Sequence, residues 1–168
     1  VTTAPLTFDP IEEAARQWRA HGWGDAADGM AAVTSVMRAQ AIMLARAEAV
    51  LRPLGLSFAR YELLTLLSFT RRGTLPMAQA GTLLQVHPTS ITNAVSRLEK
   101  AGMVRREPHP SDGRAVLIQI TEPGRALAAE ATKHMNAALF TSPGLPPHRL
   151  RMLFSVIRDL RREAGDFA

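Results

Sequence analysis

A chain of 168 residues with 46% hydrophobic content can bury one sizeable core, and its lack of cysteine excludes a disulfide framework, a thiolate zinc site and thiol-based redox sensing. The formal net charge of +5 is nearly all guanidinium, since Lys100 and Lys133 are the only lysines, and guanidinium pairs bidentately with phosphate and with guanine. A genome of high GC content would produce the same arginine bias, so composition alone leaves both readings open.

No run of about 18 apolar residues suits a membrane span and no signal-peptide pattern opens the sequence, so the expected location is the cytoplasm. At the N-terminal end, Asp9-Pro10 reads as a helix cap and first-turn pair, with Ile11, Ala14, Ala15 and Trp18 on one face and Glu12, Glu13, Arg16 and Arg19 elsewhere. His21-Gly22-Trp23-Gly24 breaks this helix. Two tryptophans so close together predict burial against something large, in the core or at a dimer contact rather than in a ligand wall. A long helix is then expected from Asp25 to Leu51, with Met30, Val33, Met37, Ala41, Leu44 and Leu51 on its apolar stripe.

Pro53-Leu54-Gly55 ends that helix and Ser57 caps the next, in which Phe58, Tyr61, Leu64 and Phe69 continue the core as far as Arg71-Arg72-Gly73. Glu62 stands within this apolar segment and faces either water or a pocket below Trp18. From Thr74 to Ile120 the sequence predicts two short helices at a tight corner, running into a β-hairpin. Pro76 suits a first helical turn with Thr74 as its cap, and Met77, Ala80 and Leu84 fall on one face. A corner at Leu84 to Pro88 leads to a second helix, whose stripe is Ile91, Val95 and Leu98 and whose stop signal is Lys100-Ala101-Gly102.

The opposite face of the second helix carries Thr89, Ser90, Thr92, Asn93, Ser96 and Arg97, with His87 just ahead of it. Short hydrogen-bonding side chains with one long cation suit close approach to base edges and phosphates in a major groove. Strands Val104–Glu107 and Ala115–Ile120 flank the turn His109-Pro110-Ser111-Asp112-Gly113-Arg114. Arg106 adds a cation beside it, and Asp112 can hold Arg114 ready for a minor-groove or phosphate contact. Residues 71 to 125 hold eight cations against four acids. An ordinary helical corner followed by an exposed hairpin would share the pattern, though without a use for the basic turn.

After the hairpin, Thr121 can cap a helix reaching about Phe140, with Leu127, Ala131, Met135, Ala138 and Leu139 down one side. Thr141-Ser142-Pro143-Gly144-Leu145-Pro146-Pro147 stops it, and a final helix bears Leu150, Leu153, Phe154, Ile157, Leu160 and Ala164 on one stripe among arginines. A small domain already served by its other helices leaves such a terminal stripe without cover, which predicts a symmetric homodimer.

The run Pro88 to Gly102, together with Val104-Arg105-Arg106, Asp112-Gly113-Arg114 and Ile120-Thr121-Glu122-Pro123-Gly124, resembles the MarR family of dimeric bacterial regulators. The resemblance implies a mainly α fold with a small β-hairpin wing, a winged helix-turn-helix with N- and C-terminal dimerisation helices. It departs from the family pattern at Gln85, where glycine is frequent, and at Gly81, where a small alanine usually packs and where glycine would let the two helices approach more closely. The expected divisions are an N-terminal extension helix over 1–24, a helical dimerisation region over 25–56 and 121–168, and a DNA-binding lobe over 57–120.

The N-terminal segment further looks like the extended first helix of the family's urate-responsive subgroup, whose ligand site draws on a tryptophan and an acid at positions matched by Trp18 and Glu62. The subgroup's arginine on the recognition helix is replaced by Asn93. The implied function is a ligand-responsive regulator, a repressor that binds a pseudo-palindromic double-stranded DNA operator as a homodimer and is released by a small effector. Arg16 and His21 near Trp18 and Glu62 favour an anionic or zwitterionic effector, while Met30, Met37 and Met43 could line a roomier apolar pocket. A small helical enzyme finds no support: His21, His87, His109, His134 and His148 lack metal-ligand spacing, no serine stands in a nucleophile elbow, and no phosphate-binding glycine loop is present. No cofactor or metal is expected.

Overall fold

The computed structural model describes residues 5–112 and 115–168. The elements are α1 (Pro10–Ala20), α2 (Gly24–Leu51), α3 (Phe58–Phe69), β1 (Thr74–Pro76), α4 (Met77–Leu84), α5 (Pro88–Lys100), β2 (Val104–Pro108), β3 (Val116–Ile120), α6 (Glu122–Met135) and α7 (Pro147–Glu163). No helix among the described residues is long and apolar enough to cross a membrane.

Local chemistry sets most helix starts. The Asp9 carboxylate accepts from the Ile11 amide at 2.8 Å, Ser57 Oγ from the Arg60 amide at 3.4 Å, and Thr121 Oγ1 from the Gly124 amide at 3.2 Å. Thr121 also fixes α6 against the turn between α5 and β2, its hydroxyl donating to the Gly102 carbonyl at 2.7 Å and its amide to the Met103 carbonyl at 3.0 Å. Gly124 sits so tightly on this turn that an added Cβ would lie 2.0 Å from the Met103 carbonyl oxygen.

One continuous core runs from Ala47 and Leu51 of α2 through Leu63, Leu64 and Leu67 of α3, Val95 and Leu98 of α5 and Ile118 of β3 to Ala131 and Met135 of α6. It therefore spans both regions that the sequence assigns to dimerisation and DNA binding.

Four expectations need correction. Thr74–Pro76 is a strand, not a helical cap and first turn: it pairs antiparallel with β3, Thr74 opposite Gln119, making a three-stranded sheet in the order β1-β3-β2. The edge position tolerates Pro76, which lacks a backbone N–H, and α4 starts one residue later. Second, one member of the α6 stripe is misplaced. Ala131, Met135 and Leu139 are buried as expected, together with Ala128, whereas Ala138 is exposed; the helix ends in a π turn over Asn136–Phe140, where the Thr141 amide donates to the Asn136 carbonyl five residues back.

Third, the α2 stripe is helical as expected, but only Leu51 of it enters the core, alongside Ala47, while Val33 is 60% and Met37 66% exposed. The α7 stripe, by contrast, is uncovered as expected, with no buried residue and Phe154 65% exposed. Both faces are unpartnered among the described residues. The tryptophans are likewise not buried by this chain: Trp18 is half-buried, packing edge-on against Trp23 with centroids 5.5 Å apart, and Trp23 is largely exposed. Fourth, Gly81 is not required for close approach. A Cβ there would meet Ile91 Cγ1 at 3.4 Å, an ordinary contact that alanine could make.

Candidate nucleic-acid interface

Helix α5 is built to show one face. Ile91, Ala94, Val95 and Leu98 are buried, and the helical period then turns Thr89, Ser90, Thr92, Asn93, Ser96 and Arg97 to the surface, where all six are exposed. His87 caps the helix, its Nδ1 accepting from the Thr89 amide at 3.2 Å, and Pro88 follows at the first position. Thr92 Oγ1 donates back to the Pro88 carbonyl at 3.0 Å. Among the described residues no hydrogen bond or ion pair engages the side chains of Thr89, Ser90, Asn93 or Arg97. These four keep their full hydrogen-bonding capacity for a partner.

Ser96 and Arg106 are arranged differently. Arg106, on β2, reaches across to α5, where its guanidinium contacts the Glu99 carboxylate and donates to Ser96 Oγ at 2.7 Å, while its amide donates to Glu99 Oε1 at 3.1 Å. The three residues brace the hairpin against α5. Nothing in the sequence order announced this, because Arg106 meets Glu99 and Ser96 only once the chain has turned back at Gly102, which takes the left-handed φ of 74°.

The hairpin of β2 and β3 projects beside α5. Its tip is closed by the His109 amide donating to the Ala115 carbonyl at 3.2 Å and the Ala115 amide to the Asp112 carbonyl at 3.0 Å. Asp112 is exposed at this tip. Arg114, expected as its partner, lies outside the described residues, as does Gly113. At the strand base, Arg105 Nε donates to Gln119 Oε1 at 2.8 Å and approaches Glu107 at 2.8 Å.

The residues expected at an effector site fall in two places. On α1, Arg16 Nη2 pairs with Glu13 at 2.5 Å, which with a further bond from Gln17 holds the Glu13 carboxyl down at about 2 and raises the Arg16 guanidinium. His21 Nδ1 lies 2.8 Å from the Gln17 carbonyl, and its ring tilts against Trp23 near Trp18. Glu62 is on α3, half-buried, and no hydrogen bond or ion pair joins it to these residues among those described. Burial pushes its carboxyl above the usual carboxylate range.

A carboxyl whose folded pKa is raised is destabilising to the fold when ionised. The folded state of the wild type therefore gains stability as pH falls through the pKa of Glu62, and Glu62→Gln is expected to raise the urea midpoint modestly at pH 7 but not below about pH 4, where the acid is neutral in both states. An equal effect at both pH values would mean that desolvation of the charge is not the cause.

One cleft was missed from sequence. It lies between α3 and α6, is about 630 Å³, and is lined by Thr65, Phe69, Arg125, Thr132 and Lys133 among others. Thr65 Oγ1 is buried there with no hydrogen-bond partner among the described residues, and Phe69 is 80% exposed at the rim. A lone threonine in an apolar helix gives no signal of this in sequence.

Comparison with known proteins follows the same outline. The MarR family model matches residues 56–116, from the start of α3 to the beginning of β3. An HTH-type transcriptional repressor of Mycobacterium tuberculosis is 33% identical over 101 residues, covering 60% of this chain and 71% of the repressor. Among solved structures, a MarR family transcriptional regulator from Streptomyces coelicolor, Sco5413, is 45% identical with a TM-score of 0.77, covering 83% of this chain and 97% of its own. A second from the same organism, Sco3205, solved in complex with DNA, is 26% identical with a TM-score of 0.69, covering 79% and 88%.

Proposed function

We propose, for a chain that belongs to the MarR family of DNA-binding transcriptional regulators and is not an enzyme, that two copies bind a pseudo-palindromic operator as a repressor which a small molecule releases. The observation that carries the DNA reading is the α5 face, where Thr89, Ser90, Asn93 and Arg97 are exposed and, among the described residues, free of internal bonds and without a competing acid. Its one carboxylate neighbour, Glu99, is engaged by Arg106. Asn93 can pair bidentately with adenine, Thr89 and Ser90 reach base edges or phosphate, and Arg97 meets the backbone. Arg114 in the hairpin turn serves the adjacent minor groove or phosphates.

The unpartnered faces of α2 and α7 support a homodimer, each copy covering the other's exposed Val33, Met37 and Phe154. Two α5 helices related by a two-fold axis would enter successive major grooves, with half-sites about 10 base pairs apart or a multiple of that.

Two observations support a small-molecule effector: the half-buried, unpaired Glu62, and the cleft where Arg125 and Lys133 flank the unsatisfied Thr65 hydroxyl. With two cations and an aromatic rim, the cleft suits an anion. Release then follows from different affinities of the effector for two lobe arrangements.

The test is a gel-shift of the purified chain against the intergenic DNA beside its own gene, over a series of salt concentrations. Affinity should fall steeply with salt, and Arg97→Ala and Arg114→Ala should each weaken binding across all sequences and flatten the slope by roughly one phosphate contact. Asn93→Ala should instead relax one operator position, by about 1–3 kcal/mol. Binding that does not respond to salt, or an Asn93→Ala loss spread evenly over sequences, would contradict this assignment of the face.

A further inference from the structure

The corner between α4 and α5 turns on Gln85, whose φ of 54° and ψ of 42° place it in the left-handed region, the only residue other than glycine to do so among those described. A glycine would enter that conformation without cost, so the side chain is retained against a backbone penalty. Its contacts supply a reason. Gln85 Nε2 donates to the Asp166 carbonyl at 3.0 Å, and Gln85 Oε1 accepts from Arg161 Nη2 at 3.3 Å. Arg161 Nε in turn donates to Asp166 Oδ2 at 2.5 Å. Both partners come from the far end of the chain, where the Arg161 guanidinium also lies 5.4 Å from the Phe167 ring.

The other end of α7 is held as well. Arg46 of α2 donates to the Pro143 carbonyl, in the loop just before α7, at 3.0 Å. Between these anchors α7 runs for 17 residues, a span of about 25 Å, without a buried side chain. We infer that Gln85, Arg161 and Asp166 are positioning residues, a clasp through which α7 fixes the angle of the reading helix α5 relative to the dimer. The inference rests on the dimeric DNA-binding reading given above. Its physical content is that α7 joins the apolar face left for a second copy to the corner three residues ahead of α5. A rotation at the dimer contact is then transmitted to α5, and the clasp holds the two α5 helices at one separation.

The lack of native cysteine makes this separation directly measurable. The full chain carrying Lys100→Cys, at the exposed end of α5, is spin-labelled, and the label-to-label distance in the dimer is recorded by pulsed electron resonance. Gln85→Asn keeps a residue that tolerates the left-handed region but is one methylene too short for the clasp; Arg161→Gln breaks it from the other side. Arg162→Gln removes the same charge from the neighbouring position and serves as control. A duplex selected from random sequence by the wild-type chain is then tested with its half-sites moved by one base pair.

The clasp predicts one narrow distance for wild type and Arg162→Gln, and a broadened distribution for Gln85→Asn and Arg161→Gln. Those two variants should also lose discrimination between the native and shifted spacings, with melting temperatures unchanged or, for Gln85→Asn, raised. Unchanged distances and unchanged spacing discrimination in both variants would overturn the inference while leaving the dimeric regulator intact. Absence of any inter-label distance in the wild type would instead remove the dimeric premise.

Discussion

A single methyl group added at Gly124 is expected to destabilise the fold by about 3 kcal/mol, the upper part of the range for overpacking a close contact. The new Cβ would lie 2.0 Å from the Met103 carbonyl oxygen and 3.0 Å from Ile120 Cγ1, and the first of these neighbours is backbone, which has no rotamer to yield. Relief requires α6 to move off the turn that follows α5, and that movement breaks the Thr121 bonds to Gly102 and Met103. Gly124→Ala should therefore show a markedly lower urea midpoint and, at temperatures where it remains folded, weaker DNA binding. A midpoint equal to that of the wild type would mean that α6 is not seated as described.

Removal of α7 separates folding from function. A chain ending at Thr141 keeps the core, which extends from Ala47 to Leu139, because no residue of α7 is buried in it. It loses the exposed stripe that includes Leu153, Phe154 and Leu160. Such a truncation should remain helical and cooperative in melting but sediment as a monomer, and its affinity for a two-half-site operator should drop by about 10²–10⁴-fold, the avidity gained when the second site is bound intramolecularly. A full-length chain that is monomeric at micromolar concentration, or a truncation that binds operator as tightly, would refute the role given to α7.

What the sequence made legible is what neighbours in the chain decide. The caps at Asp9, Ser57 and Thr121, the corner at residues 84–88 and the division of α5 into a buried and an exposed face all depend on residues within a turn or two of one another. β1 was missed because its hydrogen bonds go to Leu117–Gln119, and a three-residue segment has no strand pattern of its own until that partner exists. The reach of Arg106 to Glu99 and of Gln85 to Asp166 was hidden for the same reason. In α2 the periodicity was readable but its destination was not, since a stripe looks alike whether it meets its own core or another chain. The effector residues fared between these extremes: Trp18 and His21 do come together at the α1–α2 corner, whereas Glu62 belongs to a separate helix, and the cleft beside Thr65 arises only where α3 and α6 face each other.

The brace of Arg106, Glu99 and Ser96 also limits the kind of DNA that can be accepted. With hairpin and α5 locked together, the protein presents its two contact elements at a set offset and cannot adjust one groove contact without the other. The duplex must make up the difference by bending or by narrowing its minor groove, at an energy that varies with base-step stiffness. On the dimeric reading proposed above, base pairs between and beside the half-sites would thus gain a vote in which sites are bound. Flexible pyrimidine–purine steps there should be preferred over stiff tracts of equal contact sequence.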